Sequence, residues 1–150
     1  MGTLVVGLLV IAALAGGCPH DDTPKAVIYT RDGGPTKLRL AALADEDAEV
    51  AGAMSTAVEP GSAVLLLYPS DERHALPANQ TGRTVDVIYA SPLRTIVDFN
   101  TGVASGSAPP QSRAPWQKAL VVEAGLVERL GVAIGDKVDP QNVESPLLLQ

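Results

Sequence analysis

The stretch "SAVLLLYP", residues 62–69, decides the fold because five consecutive apolar side chains follow its first residue. A strand that is buried on both faces of a sheet typically has such a continuous apolar run in its sequence. The run is also too short for a typical buried helix, and turn-forming residues lie on both sides of it. We therefore predict that residues 62–69 form the central strand of a sheet.

Strand patterns recur on both sides of this segment, separated by Gly-, Pro- and Asp-rich turns. They occur at residues 25–30, 36–43, 84–90, 93–99 and 118–125, and a final short strand ends the segment 132–139. The third and fourth of these, separated only by "SP", are expected to pair antiparallel. The pattern predicts a mainly β fold, a compact barrel or sandwich of about seven to eight short strands with one or two short helices.

Two short helices are predicted between these strands. The first follows Asp45, a candidate N-cap, and places Val50 and Met54 one turn apart. The second covers residues 126–130 ("LVERL"), with its apolar side chains facing inward, and ends at Gly131 as a C-terminal cap. Gly135 and Asp136 then form a turn into the last strand.

The chain is expected to hold a single folded domain. Residues 26–150 carry the strand and helix patterns, and residues 101–115 form a Gly-, Ser- and Pro-rich loop that we expect to be flexible. No internal repeat is visible in the sequence.

The opening of the chain is typical of a targeting segment. Residues 4–15 form an unbroken apolar run that is too short for a comfortable membrane span and fits a signal peptide core. The run leads into Gly16, Gly17 and Cys18, the only cysteine, which is similar to the end of a bacterial lipoprotein signal. We expect residues 1–17 to be the signal peptide, Cys18 to carry lipid such as palmitate, and residues 18–25 to be a solvated tether. A secretory signal with an incidental cysteine and a retained N-terminal helix are the alternatives.

Charge restricts the possible partners. Eleven basic residues stand against seventeen acidic ones, which gives a formal net charge of −6. Binding to a phosphate backbone requires clustered Lys and Arg, so we expect no nucleic-acid partner. A single cysteine forms no disulfide within one chain.

Few side chains are candidates for chemistry. Asp86 lies in an otherwise apolar strand, where it is either a pocket carboxylate or a hydrogen-bonded aspartate that fixes strand register. His74 follows two acidic residues, a composition that suits a metal site or a solvated turn equally. A triad of His74 with Ser70 or Ser62 lacks the local motif of a nucleophile. We therefore expect no catalytic residues, no metal and no cofactor.

The order of these features resembles a family of bacterial domains of unknown function, number 192, which are small, β-rich, and exported or lipid-anchored. Its helix ends in Gly-Leu-Met, and "GAM" (residues 52–54) stands in that place. "LPANQT" (residues 76–81) occupies the position of the family's Phe-Trp-Met-Lys-Asn-Thr motif and keeps only Thr81. Asp86 matches the aspartate of the strand that follows. The closing pattern is matched through four turn residues and one acidic residue: Glu123, Gly125, Gly131, Gly135 and Asp136.

The resemblance implies a fold more than an activity. We expect a lipid-anchored, exported domain of the bacterial envelope, held at the membrane through Cys18, that binds an envelope protein or small ligand without catalysis. The alternative is a small-ligand receptor or enzyme with a pocket around Asp86 and Thr81. Met54 and Gly52, matched to the family's helix end, would complete that pocket.

Overall fold

A computed structural model describes residues 21–148 as one curled β-sheet with short helices on its two faces. The predictions for the signal peptide and for Cys18 lie outside the described residues. The elements are β1 Lys25–Thr30, β2 Gly34–Ala44, α1 Asp47–Ala53, β3 Ser62–Glu72, β4 Val85–Ala90, β5 Ile96–Val103, β6 Trp116–Glu123, α2 Leu126–Leu130, β7 Lys137–Gln141 and a 3-10 turn Pro146–Leu148.

The seven strands form a single sheet in the order β5-β4-β6-β3-β2-β1-β7. β3 is the fourth strand of seven, which confirms that residues 62–69 occupy the sheet's centre. Neighbouring strands are antiparallel except β2 and β3, which run parallel and are connected through α1. The expected antiparallel pair of β4 and β5 is also present.

The sheet curls into a half-barrel. Its edges approach each other at one point, where Thr95, just before β5, pairs with Lys137 at the start of β7. The main-chain N–H of Ile96 donates to the carbonyl of Asp136 at 2.7 Å beside this bridge. The prediction of a mainly β fold is thus confirmed, and the barrel or sandwich is realised as this half-barrel.

Apolar side chains cover both faces of the sheet. Along β3, Ala63, Leu65 and Leu67 belong to an inner cluster that α2 covers. Val64 and Leu66 face the opposite side and belong to an outer cluster that α1 covers. Burial on both faces explains why residues 63–67 of this strand include no polar side chain.

Three local predictions differ from the structure. α1 has Glu46 rather than Asp45 as its N-cap, and no side chain caps its N–H groups. Asp45 instead accepts a hydrogen bond from the hydroxyl of Ser145 at 2.9 Å, a contact that removes its carboxylate from the helix. β5 continues to Val103, so the loop predicted from residue 101 begins later. β1 already includes Lys25, the last residue of the predicted tether.

Candidate functional site

Asp86 is the buried carboxylate of the inner face. It lies on β4 between Val85 and Val87, which face the outer cluster, and only 1% of its surface is exposed. Oδ1 accepts a hydrogen bond from the N–H of Gly102 at 3.0 Å, and Oδ2 accepts from the N–H groups of Gly125 and Val127, both at 3.1 Å. This geometry therefore matches the second interpretation of Asp86, a hydrogen-bonded structural aspartate.

A β-bulge brings the first donor to Asp86. The β4–β5 register pairs Val85 with Val103 and Val87 with Asn100, so two residues of β5 lie opposite Asp86. Gly102 is one of them and has a positive φ of 64°, a conformation that glycine adopts without a steric penalty. This kink turns the Gly102 N–H toward the carboxylate.

The other two donors belong to the start of α2. Gly125 has a φ of 88°, and its conformation directs its own N–H and that of Val127 toward the same oxygen of Asp86. A side chain from another strand therefore satisfies N–H groups that the first helical turn leaves without a partner. The contact fixes α2 against the inner face.

A cleft of about 570 Å³ opens beside this contact. Phe99 and Thr101 border it from β5, and Glu128 borders it from α2. The remaining lining residues are Asp86, Gly102, Gly125, Val127, Gly131 and Val132. Phe99 is half-buried against the inner cluster, whereas Thr101 and Glu128 are exposed. The site thus combines apolar and carboxylate surface.

The four predicted pocket residues do not line one cavity in the described part of the chain. Asp86 faces the inner side, whereas Met54 is fully buried in the outer cluster. Gly52 is exposed on α1, where a Cβ would meet no atom within 4 Å. Thr81 lies in the loop before β4. The sheet itself separates Asp86 from Met54, because Asp86 points to the inner face whereas Met54 packs on the outer face.

Thr81 belongs to a hydrogen-bonded loop organised by Asn79. The Asn79 side chain is fully buried, and its Oδ1 accepts hydrogen bonds from both the N–H and the hydroxyl of Thr81. Its Nδ2 donates to the carbonyls of Arg83 and Val103. The residue that keeps the family's threonine therefore supports the turn that leads into β4.

His74 is engaged in packing on the outer face. Its ring stacks on Tyr68 with centroids 4.1 Å apart, and Nε2 lies 2.8 Å from the carbonyl oxygen of Ser70. Trp116 meets both rings edge-on. These contacts give His74 a structural role in addition to the two interpretations of its sequence, a metal site or a solvated turn.

The predicted turn residues adopt glycine-specific conformations. Gly131 ends α2 with a φ of 67°, and Gly135 has a φ of 101°. Asp136 is buried, and its carboxylate accepts the N–H of Ala133 at 2.8 Å, which closes the turn before β7.

Two further buried polar groups stabilise the β5 edge. Asp98, 2% exposed, accepts hydrogen bonds from the main chain and the guanidinium of Arg113. Burial alone would raise the pKa of Asp98, but the hydrogen bonds from Arg113 outweigh it and hold that pKa below its ordinary value. The hydroxyl of Tyr89 donates to Asn100 at 2.7 Å, and burial, with a smaller contribution from Asp98, raises the pKa of Tyr89.

Sequence reasoning missed most of the residues that line the cleft. Phe99 and Thr101 lie in a segment predicted as a strand followed by a flexible loop, and Glu128 was assigned only an outward position on its helix. Among the lining residues that were missed, Gly102 is the one with a sequence signal, because it is a glycine shortly after an apolar strand.

The fold and the cleft define a small half-barrel domain with a carboxylate-bearing cleft between its inner face and a short helix. The model of family DUF192, described as "Uncharacterized ACR", matches residues 27–140, and the chain belongs to this family. The resemblance inferred from the sequence is confirmed.

Two solved structures share the fold. A proposed transcription regulator from Sinorhizobium meliloti 1021 is 21% identical, with a TM-score of 0.72 over 81% of this chain and 95% of that one. A protein of unknown function from Novosphingobium aromaticivorans DSM 12444 is also 21% identical, with a TM-score of 0.69 over 83% of this chain and 99% of that one. No curated protein matches the sequence. Within residues 21–148, no helix has the length and apolar character needed to cross a membrane.

Proposed function

We propose that the chain is a lipid-anchored domain of the bacterial cell envelope that binds a ligand or an envelope protein through the cleft beside Asp86. The cleft of about 570 Å³ is the observation that supports binding, and the hydrogen bonding of the carboxylate favours a structural over a catalytic role for Asp86. Both oxygens of Asp86 accept main-chain N–H groups, so the residue holds α2 and the β5 bulge in place. A general base would instead need a carboxylate oxygen free to take a proton from substrate.

The sequence supports the location at the membrane. An apolar run at residues 4–15 precedes Cys18 after small residues, which is the order of a lipoprotein signal. The first strand of the sheet begins at Lys25, a few residues after that cysteine. Lipid on Cys18 would therefore hold the half-barrel near the membrane through a short tether.

Charge disfavours the role proposed for the Sinorhizobium protein. A net charge of −6 repels the phosphate backbone of DNA, and likeness at 21% identity concerns the fold alone. An enzyme with Asp86 and Thr81 in one pocket is also disfavoured, because Asp86 lines the inner cleft and Thr81 is bonded to Asn79 in a loop. The other part of that alternative, a small-ligand receptor, is included in the present proposal, which also has the cleft bind a ligand.

Lipid attachment is tested by palmitate labelling and cell fractionation of the full chain, with Cys18→Ser compared with the wild type. We expect label and membrane association for the wild type and loss of both for Cys18→Ser. A Cys18→Ser protein that still takes up label and stays with the membrane would contradict the anchoring.

Binding is tested by a thermal-shift screen of the full chain against sugars, peptidoglycan fragments, lipids and divalent metals. A ligand present at about 100 times its dissociation constant adds roughly 2.7 kcal/mol to the free energy of unfolding. Thr101→Trp fills the cleft from an exposed position, and Ala48→Trp, exposed on α1, is the matched control. We expect shifts that Thr101→Trp abolishes and Ala48→Trp preserves; shifts equal in both variants would contradict binding at this cleft.

A further inference from the structure

The charges around the cleft beside Asp86 are of one sign. Asp86 and Glu128 both line it, and among the described residues that border it none is basic. The nearest cation along the chain, Arg129, is paired with Glu123. Glu128 itself forms no ion pair with any residue from 21 to 148. The cleft therefore offers negative charge that the protein does not neutralise within it.

An aromatic ring and a hydroxyl group accompany these charges. Phe99 lines the same cleft, and a cation over an aromatic face is attracted by the ring's quadrupole. The hydroxyl of Thr101 offers a hydrogen-bond acceptor at the edge of the cleft.

The cleft also has room beside the carboxylate. A Cβ built at Gly102, Gly125 or Gly131 would meet no atom within 4 Å. Val127 and Val132 supply apolar lining next to this open space. A different cleft, of about 500 Å³, shares Gly131 and has mixed charge, with Arg31 and Lys137 beside Asp32 and Asp136.

We propose that the cleft binds small organic ammonium groups, with Asp86 and Glu128 facing the charge and Phe99 contacting the ammonium-bearing alkyl group. This inference rests on the proposed binding function and specifies the ligand's chemistry. A carboxylate pair attracts the cation, the ring and the valines bury the alkyl part, and anions are repelled by the same carboxylates.

The test is an NMR titration of the ¹⁵N-labelled full chain with isobutylammonium at constant ionic strength. Isobutanol and isobutyrate are the neutral and anionic probes of similar shape. Constant ionic strength is needed because the chain's net charge of −6 would otherwise attract any cation without a site. We expect saturable shifts of the Gly102, Gly125 and Gly131 amides with isobutylammonium and none with isobutyrate.

Variants assign the contacts. Glu128→Gln, at an exposed position, should weaken isobutylammonium binding by about twofold to fivefold. Phe99→Leu should weaken it by about twofold to tenfold. Glu49→Gln, on exposed α1, is the control and should leave binding unchanged.

The remaining outcomes overturn the inference in distinguishable ways. Equal binding of isobutanol and isobutylammonium would remove the charge preference and leave the cleft as a binding site. No saturable shift with any probe would overturn the ammonium ligand, while the screen with Thr101→Trp decides separately whether the cleft binds at all. Unchanged affinity in both Glu128→Gln and Phe99→Leu would place the ammonium elsewhere.

Discussion

Replacing Asp86 by alanine removes the carboxylate that accepts hydrogen bonds from three main-chain N–H groups. A hydrogen bond to a charged acceptor contributes about 1.5–3 kcal/mol. Val127 is buried, so its N–H bears the full loss. Gly102 and Gly125 are exposed beside the cleft, where water replaces part of the lost bond. We expect Asp86→Ala to lower the free energy of unfolding by about 3 kcal/mol.

Urea unfolding followed by the fluorescence of Trp116, the only tryptophan, measures this loss. The melting temperature should fall by roughly 9–15 °C for a domain of this size. Asp86→Asn keeps one carbonyl oxygen for Gly125 and Val127 and should lose roughly half as much. Glu144→Ala, an exposed control, should stay within about 0.5 kcal/mol of the wild type. An Asp86→Ala variant as stable as Glu144→Ala would refute the structural role.

Four other substitutions have definite expected outcomes. The pKa of Asp98 is lowered, so its contribution to the free energy of unfolding is complete above its ordinary pKa of 3.8 and is lost as the pH falls further. Asp98→Asn should therefore flatten the acid dependence of stability measured by urea unfolding. The raised pKa of Tyr89 means that its contribution is present below about pH 10 and is lost above it, so Tyr89→Phe should reduce alkaline destabilisation in the same assay. Gly52→Ala should raise the free energy of unfolding by about 0.5–1 kcal/mol, because this helical position is open and its added Cβ meets nothing; a loss of stability would show that the residue has a hidden contact. Gly135→Ala should cost about 1–2 kcal/mol because of its positive φ, and an unchanged melting temperature would contradict that strain.

Local sequence patterns were sufficient for the central features of the fold. The apolar run of β3 implied burial on both faces, and the "LVERL" helix with its glycine stop appears at the predicted residues. Each of these features depends on neighbours within a few positions, which is the range that periodicity and capping rules describe.

The contacts that define the cleft depend on distant residues instead. Asp86 receives its N–H donors from Gly102, 16 positions away, and from Gly125, 39 positions away. The carboxylate of Asp45 likewise accepts a hydrogen bond from Ser145, 100 positions away, instead of capping α1. Such contacts depend on how the sheet curls. The order of the family's motifs along the chain therefore led to a predicted pocket with both Asp86 and Met54, which lie on opposite faces of the sheet.

In the proposed function, the Asp86 carboxylate holds the cleft in shape for binding rather than reacting within it. A scalar coupling across a hydrogen bond, measured by NMR between an amide nitrogen and the Asp86 carboxyl carbon, tests this role most directly. We predict couplings from the amides of Gly102, Gly125 and Val127, retained when a ligand is added. Absence of all three couplings in the folded protein, together with rapid exchange of these three amide protons with solvent, would contradict this role.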